Sequence, residues 1–414
     1  MRPGDLQTEP SFTEIVREWG RIGCIGFGGP PAHVALLREL CVERREWLTD
    51  EQFERAIAAT NLLPGPASTQ LAIYCAWRLR GARGALLGGL CFVLPGLVLI
   101  LGLAALFLSG SPPAWLRGAG MGAGAAVAAV AVHAGLGVGG PIWRRAVDAE
   151  RPRVLAYALA GGVAAALAGP WLVVVLLACG AIELSRQRLA RGAAGPRAWT
   201  LTAWWVLARG PAALVNRSER TGLLAELGSV TATVDPGGTG ALMWTALKVG
   251  ALAFGGGFVI VPLMQSDAVG AYHWMTHGQF LNAVALGQVT PGPVTQTVAA
   301  VGYSAAGLPG GLLAALVAFA PSFSFILLGG ARFERLLVND RVLAFLAGAS
   351  PSAAGAIVGA AVPLTSALGE TWQYALLAAA AVSVLLLRRG VVETLLLAGC
   401  VGAAAGLLGA PIPR

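Results

Sequence analysis

Long apolar stretches separated by short polar or Gly-Pro clusters dominate the chain. Residues 268–331 contain no Asp, Glu, Lys or Arg, and residues 84–141 contain only Arg117. Such stretches are typical of helices that cross a lipid bilayer, which need about 20 apolar residues. The pattern predicts membrane spans at 84–108, 114–136, 154–168 and 171–184, and in the second half at 309–330, 342–368, 373–387 and 391–408. The predicted fold class is therefore all-α, a polytopic membrane protein.

Composition supports a location in the lipid bilayer. The chain has 414 residues, 56% of them hydrophobic and 12% charged, whereas soluble domains carry about 25% charged residues. This excludes a water-soluble enzyme. The net charge of +8 also fits the Arg and Lys that membrane proteins gather in cytoplasmic loops, so we expect no nucleic-acid partner. The polar N-terminus does not resemble a removable signal peptide, and we expect a multi-pass protein of the bacterial inner membrane.

The sequence offers no motif for a metal, a cofactor or catalysis. Its six cysteines are scattered through apolar segments, with no Cys-x-x-Cys pair and no histidine at metal spacing, so they are predicted to be buried hydrophobic residues. No phosphate-binding loop and no H-E-x-x-H motif occurs. We therefore expect neither cofactor nor metal, and a protein that is not an enzyme.

An internal repeat appears when the chain is shifted on itself by 227 positions. Residues 19–70 then align with residues 246–297 without a gap, and 16 of the 52 positions are identical. The identities include Phe27-Gly28-Gly29 with Phe254-Gly255-Gly256, Trp47 with Trp274, and Pro64-Gly65-Pro66 with Pro291-Gly292-Pro293. After a slip of one residue, Pro95 aligns with Pro321. The chain is predicted to hold two copies of one unit.

Each copy opens with two helical segments that Gly and Pro interrupt. Gly lowers helix propensity, and Pro lacks the N–H that continues the hydrogen-bond ladder. In the first copy the interruptions fall at residues 27–31 and 61–66. We expect broken or re-entrant helices whose tips reach bilayer depth, which is tolerated only where the tip is buried in protein or lines a water-filled cavity.

Charge in the loops indicates an inverted-topology repeat. Arg78, Arg80 and Arg83 mark a cytoplasmic loop in the first copy, whereas the equivalent stretch of the second copy, 304–309, is uncharged. The predicted domains are a first transmembrane repeat at 1–185, a basic linker at 186–240 and a second transmembrane repeat at 241–414. Within the linker, the segment 199–215 is either a weak span or an interfacial helix.

The Pro-Gly-Pro interruptions are candidate anion sites. A helix that restarts after such a break presents unpaired N–H groups and the positive end of its dipole. Pro66 is expected at the first helical position. The alternative is a simple kink, but two occurrences at equivalent positions favour a site. The candidate binding residues are Asn61, Pro64, Gly65, Pro66, Ser68, Thr69 and Gln70, and in the second copy Gln288, Pro291, Gly292, Pro293, Thr295 and Gln296.

A cationic residue precedes each Phe-Gly-Gly interruption. Arg21 precedes Phe27 by six residues, and Lys248 precedes Phe254 by six. A cation inside a membrane segment is by default functional, and we hypothesise that the two neutralise a doubly charged substrate; the alternative is that they extend to lipid headgroups. The candidate residues here are Arg21, Phe27, Gly28, Gly29, His33, Lys248, Phe254, Gly255, Gly256 and Gly257. Symmetry does not support His33, since its counterpart is Ile260.

Carboxylates are missing from the centres of the long spans. Glu39, Glu43, Glu183 and Asp267 all lie close to segment ends. A carboxylate proton relay is therefore not evident, which favours an anionic cargo.

These motifs resemble those of the chromate ion transporter family in its long, two-repeat form. The resembling residues are Phe27-Gly28-Gly29-Pro30, Ala32-His33, Trp47-Leu48, Leu63-Pro64-Gly65-Pro66, Lys248-Val249-Gly250, Phe254-Gly255-Gly256-Gly257, Pro262-Leu263 and Pro291-Gly292-Pro293. The resemblance covers both repeats. It implies export of chromate from the cytoplasm, with sulfate as a structural mimic. Family members often carry Lys where Arg21 stands, Gln near Asn61 and His at Phe258, and the last two departures put substrate preference in doubt.

Two hypotheses from different classes remain open. The first is a secondary transporter that binds the chromate or sulfate dianion between the two repeats and works by alternating access. The second is a passive anion channel; an uptake transporter for sulfate or another oxyanion is a further variant of the first. The oligomeric state is open, and a homodimer is our working assumption.

Overall fold

The computed structural model of the chain describes residues 10–63, 65–108, 112–167, 172–192, 238–253, 258–329 and 339–411. These residues form helices and contain no strand, which confirms the predicted all-α fold class. The first-half helices are α1 (Phe12–Ile25), α2 (Pro30–Arg38), α3 (Asp50–Leu62), α4 (Ala67–Phe107), α5 (Ala114–Arg145), α6 (Arg151–Leu167) and α7 (Leu172–Gly192). Those of the second half are α8 (Thr239–Leu252), α9 (Ile260–Gln265), α10 (His277–Val289), α11 (Thr297–Gly329), α12 (Asp340–Gly359), α13 (Ala361–Ser366), α14 (Thr371–Ala381) and α15 (Val391–Leu407).

The two copies of the repeat share the same local features at equivalent positions. The helices α2 and α9 each continue into a π-helical turn, at Glu39–Arg44 and Ser266–Ala271. Capping boxes open α3 and α10, at Thr49 with Gln52 and at Thr276 with Gln279. The residues Glu46 and His273 both have positive φ. Each pair is 227 positions apart, so the two copies fold alike over these residues.

A glycine elbow bends α4 and α11 at equivalent places. Gly81 has φ 60° and ψ −152°, and Gly307 has φ 63° and ψ −157°. Residues other than glycine rarely adopt this conformation. The elbow joins a short segment that follows the Pro-Gly-Pro interruption to a long apolar segment, and it falls in the gap between the predicted restart and the predicted span at 84–108.

Within the part of the chain that the structure describes, four helical segments are long and apolar enough to cross a bilayer: Ala67–Phe107, Ala114–Arg145, Val294–Gly329 and Asp340–Ser366. Each overlaps a span predicted from the sequence pattern. Shorter apolar helices lie at Thr371–Leu386 and Val391–Leu407, while the predicted spans at 154–168 and 171–184 correspond to α6 and α7. The protein is therefore an all-α membrane protein.

Several helices of each half pack against helices of the other half. The α4 and α11 helices pack together, as do α5 and α12. The last two helices of each half pack against the other half, with α14 and α15 on α5, and α6 and α7 on α12. Small residues permit these contacts, because Cβ atoms added at Gly122 and Gly402 would each collide with the facing helix.

The direction of the equivalent helices can be read from these contacts. A Cβ at Gly89 would meet Phe323, and one at Gly311 would meet Leu101. Later residues of α4 therefore contact earlier residues of α11, so the two helices run antiparallel. Gly135 faces Val358 and Gly139 faces Ala354, so α5 and α12 also run antiparallel.

Candidate anion site at the helix interruptions

The first interruption of the first copy is a glycine turn between α1 and α2. The α1 helix ends at Ile25, Gly28 and Gly29 have φ of 96° and 75°, and Pro30 begins α2. Only glycine adopts such values readily, so the Phe-Gly-Gly motif breaks the helix as predicted. The counterpart residues Phe254, Gly255, Gly256 and Gly257 lie outside the described residues.

The Pro-Gly-Pro motifs form the second interruption in each copy. Gly65 has φ of 121° and Gly292 has φ of 95°. Pro66 caps α4, which begins at Ala67, and Pro293 caps a 3₁₀ turn at Val294–Gln296 that leads into α11. The prediction that Pro66 occupies the first helical position is wrong by one residue, because its ψ of 101° is extended. Pro64 lies outside the described part of the chain.

The second copy's Pro-Gly-Pro turn is built into the first copy. The Gly292 N–H donates a hydrogen bond of 2.9 Å to the Gly26 carbonyl at the end of α1. The Gln296 side-chain amide donates to the Val93 carbonyl of α4 over 2.8 Å. A Cβ at Gly96 would collide with the Pro291 carbonyl and lie 2.5 Å from Gln296 Oε1. The second copy's Pro-Gly-Pro turn can therefore pack against α4 only because Gly96 has no side chain.

The first copy's Pro-Gly-Pro turn makes the reciprocal contact. A Cβ at Gly65 would lie 3.1 Å from the Gly250 carbonyl of α8 and 3.3 Å from Ser322 Oγ of α11. Ser322 is the equivalent of Gly96 under the repeat, since it follows Pro321 as Gly96 follows Pro95. Each turn thus rests on the other copy, and the two turns belong to the interface between the halves.

Polar side chains beside these turns are buried. Thr69, Gln70, Thr295 and Gln296 are fully buried, and Ser68 is nearly so. The buried polar atoms without a hydrogen-bond partner include Thr69 Oγ1, Thr295 Oγ1, Gln296 Oε1, Ser322 Oγ and Gln288 Nε2. A buried polar group left unsatisfied costs about 1–3 kcal/mol, and native proteins keep few of them. Hydroxyl and amide groups from both copies therefore have hydrogen-bonding capacity available for a ligand.

His33 connects the two kinds of interruption. Its side chain is fully buried on α2, with its ring edge-on to Phe92 at 5.0 Å between ring centroids. His33 Nε2 lies 2.9 Å from the Gly26 carbonyl oxygen, which also accepts from Gly292. Nδ1 has no partner. Sequence symmetry gave no support for His33, yet the structure places it at the contact between the copies.

The two candidate cations have different surroundings. Lys248 Nζ forms a 2.5 Å ion pair with Asp267, which also accepts from Thr245 Oγ1 over 2.8 Å. Its charge is compensated within its own copy, whereas the sequence argument pairs that charge with a doubly charged substrate. Arg21 is exposed on α1, and no hydrogen bond or ion pair to a described residue is found for it. Asn61 is also exposed, whereas its counterpart Gln288 is buried.

The first copy makes an ion pair of opposite polarity between the same two elements. Glu18 of α1 is buried and accepts from Arg44 and Arg45 at the end of the π-helical turn, over 2.5 and 2.9 Å. Burial alone would raise the pKa of Glu18, but the two guanidinium groups outweigh it and hold the pKa below its usual value. In both copies, therefore, an ion pair ties the first helix to the returning segment.

Comparison with known proteins places the chain in a family. The profile of the chromate transporter family matches residues 13–184 and 240–407. A chromate transport protein of Cupriavidus metallidurans is 31% identical over 99% of this chain and 96% of its own length. A chromate transport protein of Pseudomonas aeruginosa is 28% identical, with 87% of this chain and 82% of its own length covered. The chain belongs to the chromate transporter family.

A third relative agrees with this assignment. A probable chromate transport protein of Synechococcus elongatus is 26% identical over 87% of this chain and 86% of its own length. No solved structure matches the chain.

Sequence reasoning missed several residues of this chromate transporter family member. The sequence pattern places Asp267 at a segment end. Its ion pair with Lys248 could not be predicted, because it depends on how the π-helical turn after α9 packs against α8. Gly96 and Ser322 were also missed. A signal for them was available, because Pro95 and Pro321 align under the repeat and each of these residues directly follows its proline.

Proposed function

We propose that this protein is a secondary transporter that carries chromate across the bacterial inner membrane and binds the dianion where the two Pro-Gly-Pro turns meet the opposite copy. Membership of the chromate transporter family supports the substrate. The observation that carries the location is the set of buried donors without a partner beside the turns, which are the hydroxyl groups of Thr69, Thr295 and Ser322 and the Gln288 amide N–H. Sulfate, a tetrahedral dianion of similar shape, is expected to compete.

We infer further that the two copies are inverted-topology repeats, at 1–185 and 241–414, joined by the linker 186–240. The antiparallel contacts of α4 with α11 and of α5 with α12 support inversion, because equivalent helices of inverted repeats point in opposite directions across the membrane. Rocking of one copy against the other then exposes the site between them to either side.

The proposed roles follow from the chemistry of each group. The α4 N-terminus and the turn before α11 orient N–H groups toward the anion. The hydroxyl groups of Thr69 and Thr295 supply hydrogen bonds without fixed charge, and Gln288 adds an amide donor. Arg21 supplies positive charge at the Phe-Gly-Gly end of α1. Lys248 fixes α8 through its ion pair with Asp267.

A flux assay in sealed proteoliposomes tests this proposal. The wild type should accumulate chromate beyond its electrochemical equilibrium when a pH gradient is imposed at a fixed voltage, which a passive channel cannot do. Direction and coupling are read from the sign and type of gradient that drives accumulation. Flux that only ever follows the chromate gradient would overturn the transporter in favour of a channel.

A double variant tests the site. Hydrogen bonds to a charged group contribute roughly 1.5–3 kcal/mol each, so Thr69→Val with Thr295→Val should bind chromate at least about tenfold more weakly. Thr60→Val with Thr290→Val is the matched control, because those buried hydroxyl groups donate to carbonyls of their own helices over 2.9 Å. Equal chromate affinity in the two double variants would contradict the proposed location.

A further inference from the structure

The Gly26 carbonyl oxygen is a junction between the copies. It accepts one hydrogen bond from the Gly292 N–H of the second copy and faces His33 Nε2 of the first copy, each over 2.9 Å. A carbonyl oxygen can only accept. His33 Nε2 must therefore carry its hydrogen, and this bond fixes the tautomer of the neutral imidazole.

The other ring nitrogen is then a bare acceptor in a buried place. With the hydrogen on Nε2, neutral His33 has only a lone pair on Nδ1. The ring edge formed by Cδ2 and Nε2 faces Gly26, so Nδ1 points away from it, and Nδ1 is buried without a partner. Burial away from water favours the neutral ring. In this state His33 repels an oxyanion at Nδ1.

Protonation reverses this behaviour. We propose that His33 takes up one proton at Nδ1 each time the site binds chromate, so that the bound species is the dianion paired with an imidazolium. This proposal rests on the proposed function. The new Nδ1–H bond donates to a chromate oxygen, while Nε2–H keeps its bond to Gly26. The proton comes from water or arrives on hydrogen chromate, and both routes give the same bound composition.

No other ionisable side chain in the described part of the chain replaces His33 in this role. The helices packed against α2 are α1 and α4, together with the π-helical turn. Their ionisable residues nearest in sequence to these contacts are Arg21, Cys24, Glu39, Glu43, Arg44 and Cys91. No hydrogen bond or ion pair found between described residues joins any of them to the imidazole.

The repeat makes the coupling asymmetric. The residue equivalent to His33 is Ile260, which is fully buried and cannot titrate. The opposite copy therefore supplies no second proton site at this position. One proton per chromate is the expected stoichiometry, so binding brings a net charge of −1, and not −2, into the site.

Calorimetric titration of the purified full-length protein with chromate tests the proposal. Titrations at one alkaline pH, where free chromate is the dianion, in buffers of different ionisation enthalpy give the number of protons taken up from solution for each chromate bound. We expect about one proton for the wild type, and an affinity that falls about tenfold for each pH unit of increase where free His33 is neutral. His33→Gln keeps an amide donor for Gly26 but should take up no proton and show a flat pH dependence.

The three remaining histidines provide the control. The chain has four histidines, so a triple variant with His133→Gln, His273→Gln and His277→Gln keeps His33 alone and should keep the full proton uptake. Chromate binding by the wild type without proton uptake, or loss of uptake in the triple variant, would overturn the proposal. A wild type that binds no chromate would instead contradict the proposed function. If His33→Gln fails to fold, the wild type and triple variant still decide the outcome.

Discussion

At the scale of single residues, small side chains and compensated charges determine the site. Gly96 leaves room for the Pro-Gly-Pro turn of the second copy, and Gly65 lets the turn of the first copy pack closely on α8 and α11. The carboxylates of Glu18 and Asp267 are buried, and each pairs with a partly exposed cation from a neighbouring segment. The breaking of such a pair by removal of one partner leaves a buried charge unpaired.

Replacement of Gly96 by alanine should therefore disrupt the contact between the copies. The added methyl group would overlap the Pro291 carbonyl oxygen and crowd Gln296 Oε1, and overpacking typically costs about 1–3 kcal/mol. We expect a lower melting temperature in detergent and a large loss of chromate flux. Gly102→Ala on the same helix is the control, because nothing lies within 4 Å of its Cβ position. Equal melting temperatures and fluxes for the two variants would contradict the packing described here.

At the scale of helices, the interruptions divide the first part of each copy into segments that the sequence pattern identifies well. Gly and Pro at 27–31 and 61–66 act locally, because each changes the backbone of its own residue. For this reason the breaks could be predicted from the sequence. The contacts of each turn with the opposite copy could not, because they depend on how distant helices pack. Lys248 shows the difference: its position was predicted, and its partner was not.

The glycine elbows of α4 and α11 belong to the same scale and give a second prediction. At Gly81 the conformation is one that other residues adopt only with strain of about 1–3 kcal/mol, and nothing lies within 4 Å of its Cβ position. Gly81→Ala should therefore lower the melting temperature through the backbone alone. Gly137→Ala is the control, since it also has open space at Cβ but lies within the regular helix α5. A Gly81→Ala protein as stable as this control would show that the elbow tolerates a side chain.

At the scale of the whole molecule, the packing of each half against the other bears on how the proposed transporter can move. The last two helices of each half pack on the other half, α14 and α15 on α5 and α6 and α7 on α12. Neither half therefore forms its full set of contacts alone. In the proposed transporter, the rocking motion pivots on contacts shared by both copies, and the two Pro-Gly-Pro turns lie at such contacts. The proposal therefore links opening on one side of the membrane to the geometry of the proposed site.

Inversion of the copies makes a testable prediction at this scale. Ala82 and Leu308 are equivalent, exposed residues that directly follow the glycine elbows. In a chain whose native cysteines are replaced, Ala82→Cys should react with a membrane-impermeant maleimide only from the cytoplasmic side, and Leu308→Cys only from outside. Val147→Cys should behave as Ala82→Cys does, because it lies beside Arg144, Arg145 and Arg151 and basic residues gather in cytoplasmic loops. Labelling of residues 82 and 308 from one side would mean that the copies are parallel, and a site between inverted turns would then have to be abandoned.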